Sequence, residues 1–165
     1  MPKVSPIPAG CNTVNAYLVV KDARKALDFY AKAFGGSAGI CMTGPNGKVM
    51  HGEVMIGNST IMITEENPQW GMKSAETMGG SPMSLHLYVD NVDQSFQKAI
   101  QSGCTLVNPV MDMFWGDRYG KVSDPFGFHW GIATHIEDVS EEEMKRRSEE
   151  WMKSMANAEP CSQPA

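Results

Sequence analysis

The chain has 165 residues, a net charge of −5, and 42% apolar against 20% charged residues. That profile suits one globular domain, or two small modules sharing a core. An acidic chain presents no basic face to phosphates, which sets nucleic acid aside as a partner. Sixteen glycines and 10 prolines favour a turn-rich, strand-rich fold over a helical bundle.

Cys11, Cys41, Cys104 and Cys161 show no C-x-x-C spacing and so give neither a zinc nor a redox signature. Residues 1–10 lack a basic segment followed by an apolar run. The longest strongly apolar stretch, residues 16–20, is far too short to span a bilayer. The sequence therefore predicts a cytoplasmic protein with reduced thiols and no membrane partner. Its 13 methionines fit adaptable packing or an apolar ligand cavity.

In chain order, residues 13–20 read as a strand and residues 22–34 as a helix with Ala23, Ala26, Leu27, Tyr30 and Phe34 on one face. Gly35-Gly36 ends it. Strands near 38–43, 48–56 and 59–64 follow, joined by Pro45-Asn46-Gly47 and Gly57-Asn58. Residues 66–82 read as an irregular linker with a mobile loop. The pattern then recurs: strand 84–89, helix 93–102, strands 105–110, 118–123 and 128–134. A constant offset of 69 relates Val20 to Val89, Leu27 to Phe96, Asn58 to Gly127, Ile61 to Trp130 and Ile63 to Ile132.

The domain organisation is thus a single domain over 1–165, with a βαβββ module at 12–66, a linker at 67–82, a second module at 83–136 and a helix at 140–156. Ser140 with Glu143 forms a capping-box start for that helix, which lines up Met144, Ser148, Trp151, Met152 and Met155. Trp151 calls for a partner, either from its own chain or from a second subunit. The tail after Asn157 reads as unstructured.

Strand alternation carries the functional argument. Leu18, Val20, Ile61, Ile63, Leu85, Leu87, Trp130 and Ile132 define an apolar face that each helix must cover. Met50, Val54 and Ile56 fall opposite Val49, His51, Glu53 and Met55. The second face is mixed: Asn15, Tyr17, His51, Glu53 and Met62 in the first module; Ser84, His86, Tyr88 and His129 in the second, with Trp115 as a further wall. Two such faces curved toward each other would enclose a cavity with sparse polar groups, the composition of a small-molecule site.

Residues 22–30, with the pattern D-x-x-x-A-L-D-F-Y, and the Asp124-Pro125-Phe126-Gly127 turn, set in two tandem modules, resemble the vicinal oxygen chelate superfamily of glyoxalases, extradiol dioxygenases and bleomycin-resistance proteins. Residues 115–120, 124–130 and 133–138 resemble its PhnB-like branch, and the likeness spans residues 12–147. It implies an α+β fold in which tandem βαβββ modules form a curved, partly closed sheet around a central cavity, with a C-terminal helix added. It also implies a divalent cation held by inward side chains of the first and last strand of each module, which here are Asn15, Met62, Ser84 and Gly131.

Asn is a weak neutral donor, a thioether suits soft metals and Gly brings no side chain. No metal or other cofactor is therefore expected. With Ser84 and Gly131 taken as level, His86 and His129 diverge by four residues, on the order of 13 Å along the strands, and share no metal. Arg118 reads as paired with Asp117 or Asp124, and His135 as structural. The resulting expectation is a homodimeric protein with a degenerate metal site that binds a small, partly apolar molecule between its sheets. The alternative is a divalent-metal-dependent lyase, isomerase or dioxygenase-like enzyme with a relocated metal site.

Overall fold

The computed structural model describes residues 4–157. The first module runs β1 (Ala16–Val20), α1 (Ala23–Phe34), β2 (Ser37–Thr43), β3 (Val49–Ile56) and β4 (Ser59–Glu65). A short helix, α2 (Ala75–Met78), precedes the second: β5 (Ser84–Tyr88), α3 (Val92–Ser102), β6 (Thr105–Asp112), β7 (Asp117–Ser123) and β8 (His129–His135). The last helix is α4 (Glu141–Asn157). The tail beyond it lies outside the described residues.

Each module folds into a four-stranded sheet, ordered β1-β4-β3-β2 and β5-β8-β7-β6, with the first and last strands parallel. The sequence repeat reappears in the register. Ala16 pairs with Ile61 and Leu85 with Trp130, and the same 69-residue displacement relates four of the five pairs of β1–β4 to four of the five of β5–β8.

Both long helices form where the sequence places caps. Asp22 and Asn91 accept from the backbone N–H groups of Lys25 and Gln94, and Gly35 and Gly103 close the C-termini in the left-handed conformation. Their apolar faces lie on the sheets through a glycine in each middle strand. A Cβ on Gly52 would sit 2.7 Å from Leu27 Cδ1, and one on Gly120 would sit 2.6 Å from Phe96 Cε2. The repeat-related pair Leu27 and Phe96 can press onto their sheets only because those positions carry no side chain.

The modules meet through α1 and α3, which pack on each other. Phe29, Tyr30 and Phe34 of α1 reach across to Phe126 and Trp130, with ring centroids 4.3–5.7 Å apart. At the centre, the Tyr30 hydroxyl donates to Asp124 Oδ2 at 2.7 Å, and both residues are buried. Asp124 also accepts from Trp130 Nε1 and from the backbone N–H groups of Phe126 and Phe128. Among the described residues, no strand pairing joins the two sheets.

The segment between the modules is more ordered than its composition predicts. Glu66 accepts from the Ser74 N–H, the Ser74 hydroxyl and the Thr77 hydroxyl. Those bonds, Thr77 and Ser74 foremost, pull its carboxyl down to about 2. In the last helix Ser140 caps the Glu143 N–H, but the Glu143 carboxylate turns to Arg146 and Arg147, so only half of the capping box forms. Trp151 meets Phe114 of its own chain, with ring centroids 5.6 Å apart and the rings tilted at 42°. Among the described residues, no helix is long and apolar enough to cross a membrane.

Replacing Tyr30 by Phe removes the hydroxyl that links α1 to Asp124 while keeping the ring. Stability measured by urea unfolding should fall by about 1–2 kcal/mol.

Candidate functional site

The face of each sheet turned away from its helix is open. In the first sheet, Tyr17 pairs with Met62 and Met62 with Glu53, so the three side chains form a row across β1, β4 and β3. His51 Nε2 and Glu53 Oε1 lie 3.0 Å apart, both half-buried. The Tyr17 ring stacks on His51 with centroids 6.1 Å apart. Met42, paired with His51, and Met55 leave thioethers exposed beside this row. Alternation fails at the start of β3: Val49 is buried and Met50 is exposed, where the β2–β3 register shifts.

In the second sheet, Ser84 is level with His129, His86 with Gly131, and Tyr88 with Ala133. This corrects the expectation that Ser84 and Gly131 are level. His86 and His129 are two residues apart on neighbouring strands, not four. Parallel register is set by side-chain packing, and aligning the ligand positions expected from the resemblance misplaced it by one pleat repeat.

Gly131 has a visible use. A Cβ there would lie 2.7 Å from Tyr119 Cε2 and 3.1 Å from His86 Nδ1. The stacked rings of His86 and Tyr119, 5.6 Å apart, fill the space above it. His129 Nδ1 is buried with no hydrogen-bond partner.

Asp117 organises the far end of this sheet. Buried, it accepts from Tyr88 Oη at 2.9 Å and Trp115 Nε1 at 2.9 Å, and its Oδ1 lies 2.8 Å from His135 Nδ1. Burial pushes the Asp117 carboxyl up, but the bonds from His135, Tyr88 and Trp115 outweigh it and hold the carboxyl below its ordinary value. Asp117, together with Asp138 at 3.1 Å from Nε2, raises the His135 imidazole in turn.

One sequence expectation changes here. Arg118 points to the helix side and pairs with Asp93 and Asp112, each at 2.8 Å, not with Asp117 or Asp124. Strand alternation puts Asp117 and Arg118 on opposite faces, so they cannot pair locally. His135 has the structural role expected of it, sharing one carboxylate with Tyr88 and Trp115.

Two cavities adjoin these faces. One, of about 520 Å³, runs between the free edges of β1 and β5 and gathers Asn15, Ser84, His86 and Tyr88. The other, of about 800 Å³, lies against the first sheet, where Tyr17 meets the 45–48 turn and residues 64–70 and 72. His51, Glu53 and Met62 lie on the open face of the first sheet and line neither cavity; Trp115 and His129 also lie outside both. Trp70 and Asp117 are absent from the sequence-predicted set. A tryptophan in a polar segment was the available signal for the first. For the second there was none, since its three donors come from separate strands and a loop.

The four positions that the resemblance assigns to a cation do not suit one. The Asn15 side chain is engaged on both sides by the Asn12 backbone. Met62 brings a thioether, Ser84 a neutral hydroxyl, and the place of a Gly131 side chain is taken by two rings. Among the described residues, no three His, Cys, Asp or Glu side chains converge as a cation site requires.

Two βαβββ modules, each with its helix on one sheet face and its other face open, define a paired-module α+β protein. Residues 11–132 match the Glyoxalase/Bleomycin resistance protein/Dioxygenase superfamily, and the chain belongs to it. It is 41% identical over 135 residues, 80% of this chain and 89% of the relative, to a protein of Mycobacterium bovis named only as uncharacterized. Its fold is similar to that of a PhnB protein from Bacillus cereus, with a TM-score of 0.58 and 16% identity over 74% of this chain and 99% of the other. It is also similar in fold to a mutant of the fosfomycin resistance protein FosX from Listeria monocytogenes, complexed with Mn(II) and 1S,2S-dihydroxypropylphosphonic acid. There the TM-score is 0.58 and the identity 17%, covering 82% of this chain and 96% of that one.

Asp117→Asn keeps the shape of the hub and removes its charge. The His135 pKa, followed by NMR, should then fall toward the ordinary value of about 6.5. In the native protein, the contribution of His135 to stability is complete below that ordinary value and is lost as pH rises through the raised one. The contribution of Asp117 is lost as pH falls through its lowered one. Both limbs should flatten in the variant.

Proposed function

We propose that this protein binds a small, partly apolar molecule between the open faces of its sheets, with no resident metal in the binding site. The donor set carries the reading: the four family positions hold Asn15, Met62, Ser84 and Gly131, while aromatic side chains persist on both faces and thioethers on the first. The cavity of about 520 Å³ between β1 and β5 is within the usual range of ligand sites. Asn15, Ser84, His86 and Tyr88 supply its polar groups. Tyr17, His51, Glu53, Met62, Trp115 and His129 belong to the wider faces around it. Cys11, Cys41 and Cys104 are unbridged, which suits work in the cytoplasm.

The reading includes a second copy of the chain. The outer edges, β2 and β6, are blunted by register shifts, and β6 carries Pro109. The inner edges, β1 and β5, are regular, five residues each, and unpaired. Leu85 and Leu87, the apolar side of β5, stay half-buried. A two-fold dimer pairing β1 of one protomer with β5 of its partner would cover both edges and bring the open faces together.

The His51–Glu53 contact of 3.0 Å favours a second reading, in which Glu53 orients His51 as a general base toward a bound molecule. The alternative of a relocated divalent-metal centre lacks a cluster of three donors among the described residues.

Thermal-shift screening of aromatic and apolar compounds tests the binding reading. A binder present at about one hundred times its Kd should stabilise the protein by about 2.7 kcal/mol. The gain should be the same with and without EDTA, and it should shrink in His86→Ala and Tyr88→Ala. Near-stoichiometric zinc, nickel, manganese or iron in protein purified without chelator, together with binding abolished by EDTA, would overturn it.

A further inference from the structure

The open face of the second sheet follows from its register. Ser84, His129 and Ser123 stand level across β5, β8 and β7, and His86, Gly131 and Lys121 form the next row. Tyr88, Ala133 and Tyr119 form the third. The alternate positions of β7 turn to the helix: Val122 is fully buried, and a Cβ on Gly120 would strike Phe96 of α3. Lys121 and Ser123 therefore share the open face with the two histidines.

The side chains of the middle row meet over its glycine. His86 Nδ1 and Tyr119 Oη both lie 3.1 Å from one point, the place of a Cβ on Gly131. Their rings stack there with an interplanar angle of 12°. Lys121 starts from the other side of the same glycine. In the adjoining row, the Nδ1 atom of His129 is buried without a hydrogen-bond partner.

The charge on this face is one-sided. Lys121 is half-buried, yet it takes part in no ion pair among the described residues. Arg118, three residues earlier on β7, shows the contrast, since it turns to the helix side and holds Asp93 and Asp112. The other carboxylates of this sheet are also committed elsewhere. Asp124 lies in the buried seam with Tyr30 and Trp130. Asp117 lies on the order of 13 Å along β7 from Lys121 and is already engaged by Tyr88, Trp115 and His135.

An ammonium drawn partly out of water without a counter-charge is costly, and imidazoles and hydroxyls beside it bring no negative charge. An oxyanion supplies what is missing. It accepts from the ammonium, from imidazole N–H groups and from hydroxyls at once, in charge-assisted bonds about twice as strong as neutral ones. A metal ion would be repelled by the ammonium and would find no third ligand among the described His, Cys, Asp and Glu side chains.

We propose that this face holds the oxyanion head of the ligand, so that the molecule bound is a partly apolar acid, a carboxylate or a phosphorus oxyanion. Lys121 supplies the counter-charge, His86 and Tyr119 direct the oxygens over Gly131, and His129 offers its unpartnered nitrogen. Ser84 and His86 also line the β1–β5 cavity beside Leu85, Leu87 and Trp130, and so connect the head to an apolar body. The assignment rests on the reading of that cavity as the ligand site.

The test uses the full chain and four probes built on one ring: benzoate, phenylphosphonate, benzyl alcohol and benzylamine. Binding is followed by ¹⁵N NMR at the imidazoles of His86 and His129 and the amides of Lys121 and Gly131. At least one acid should bind about tenfold more tightly than the alcohol, and the amine most weakly. The tighter of the two acids identifies the head group. Lys121→Gln should remove most of the acid's advantage over the alcohol, and His86→Gln part of it. That ratio is read within each variant, so any loss of folded protein cancels. Equal binding of acids and alcohol, or preference for the amine, would overturn the anion assignment and leave the small-molecule reading standing. An unchanged ratio in Lys121→Gln would overturn the placement of the head. Silence from all four probes would instead overturn the binding reading on which the assignment rests.

Discussion

A single buried carboxyl joins the two halves of this molecule at the centre of an aromatic seam. Asp124 starts the turn before β8, receives the backbone N–H groups of Phe126 and Phe128, and so fixes where that strand begins. It also receives Trp130 Nε1 from its own module and the Tyr30 hydroxyl from the other. Burial pushes this carboxyl above its ordinary value, against the pull of those four donors. Removing a donor would leave a desolvated oxygen less well satisfied, which is why the cluster tolerates little change. The aromatic rings around it, from α1 on one side and from Phe126 and Trp130 on the other, surround this carboxyl with apolar surface.

With the helices committed to that seam, each sheet must leave its second face uncovered. The two faces are finished differently. The first carries Tyr17, His51, Glu53 and several thioethers, a deformable surface with one polar pair. The second is aromatic and stiffer, because Asp117 fixes Tyr88, Trp115 and His135 together, and the His86 and Tyr119 rings fill the hollow over Gly131. A ligand held between such faces would meet a fixed wall and a yielding one.

The helix-facing half of this architecture was legible in the sequence. Leu27 and Phe96, or Ile63 and Ile132, obey one offset because each presses on a sheet through the same geometry, and packing leaves a strong periodic trace. The open faces left a weaker one. Alternation assigned Tyr17, His51, Glu53, His86 and Tyr88 to them correctly, but which residues stand level across parallel strands depends on register. Nothing in the spacing of Ser84 and Gly131 reveals that His86 sits opposite Gly131. The Asp117 hub was hidden for a related reason: its donors lie at positions 88, 115 and 135, and only the fold brings them together. The hairpin carrying Trp70 was masked by composition, since its order comes from backbone bonds within six residues rather than from an apolar pattern.

The parallel pairing of first and last strands bears on how the chain assembles. Ala16 must find Ile61, and Leu85 must find Trp130, across equal stretches of 45 residues, whereas β3 and β4 meet across a two-residue turn and β7 and β8 across a five-residue one. Closing the short loops costs less chain entropy, so the hairpins form early and β1 and β5 join last. The strands that bound the β1–β5 cavity are therefore the latest to arrive. The cavity between them accordingly takes shape only at the last step of folding, once both parallel pairs have closed.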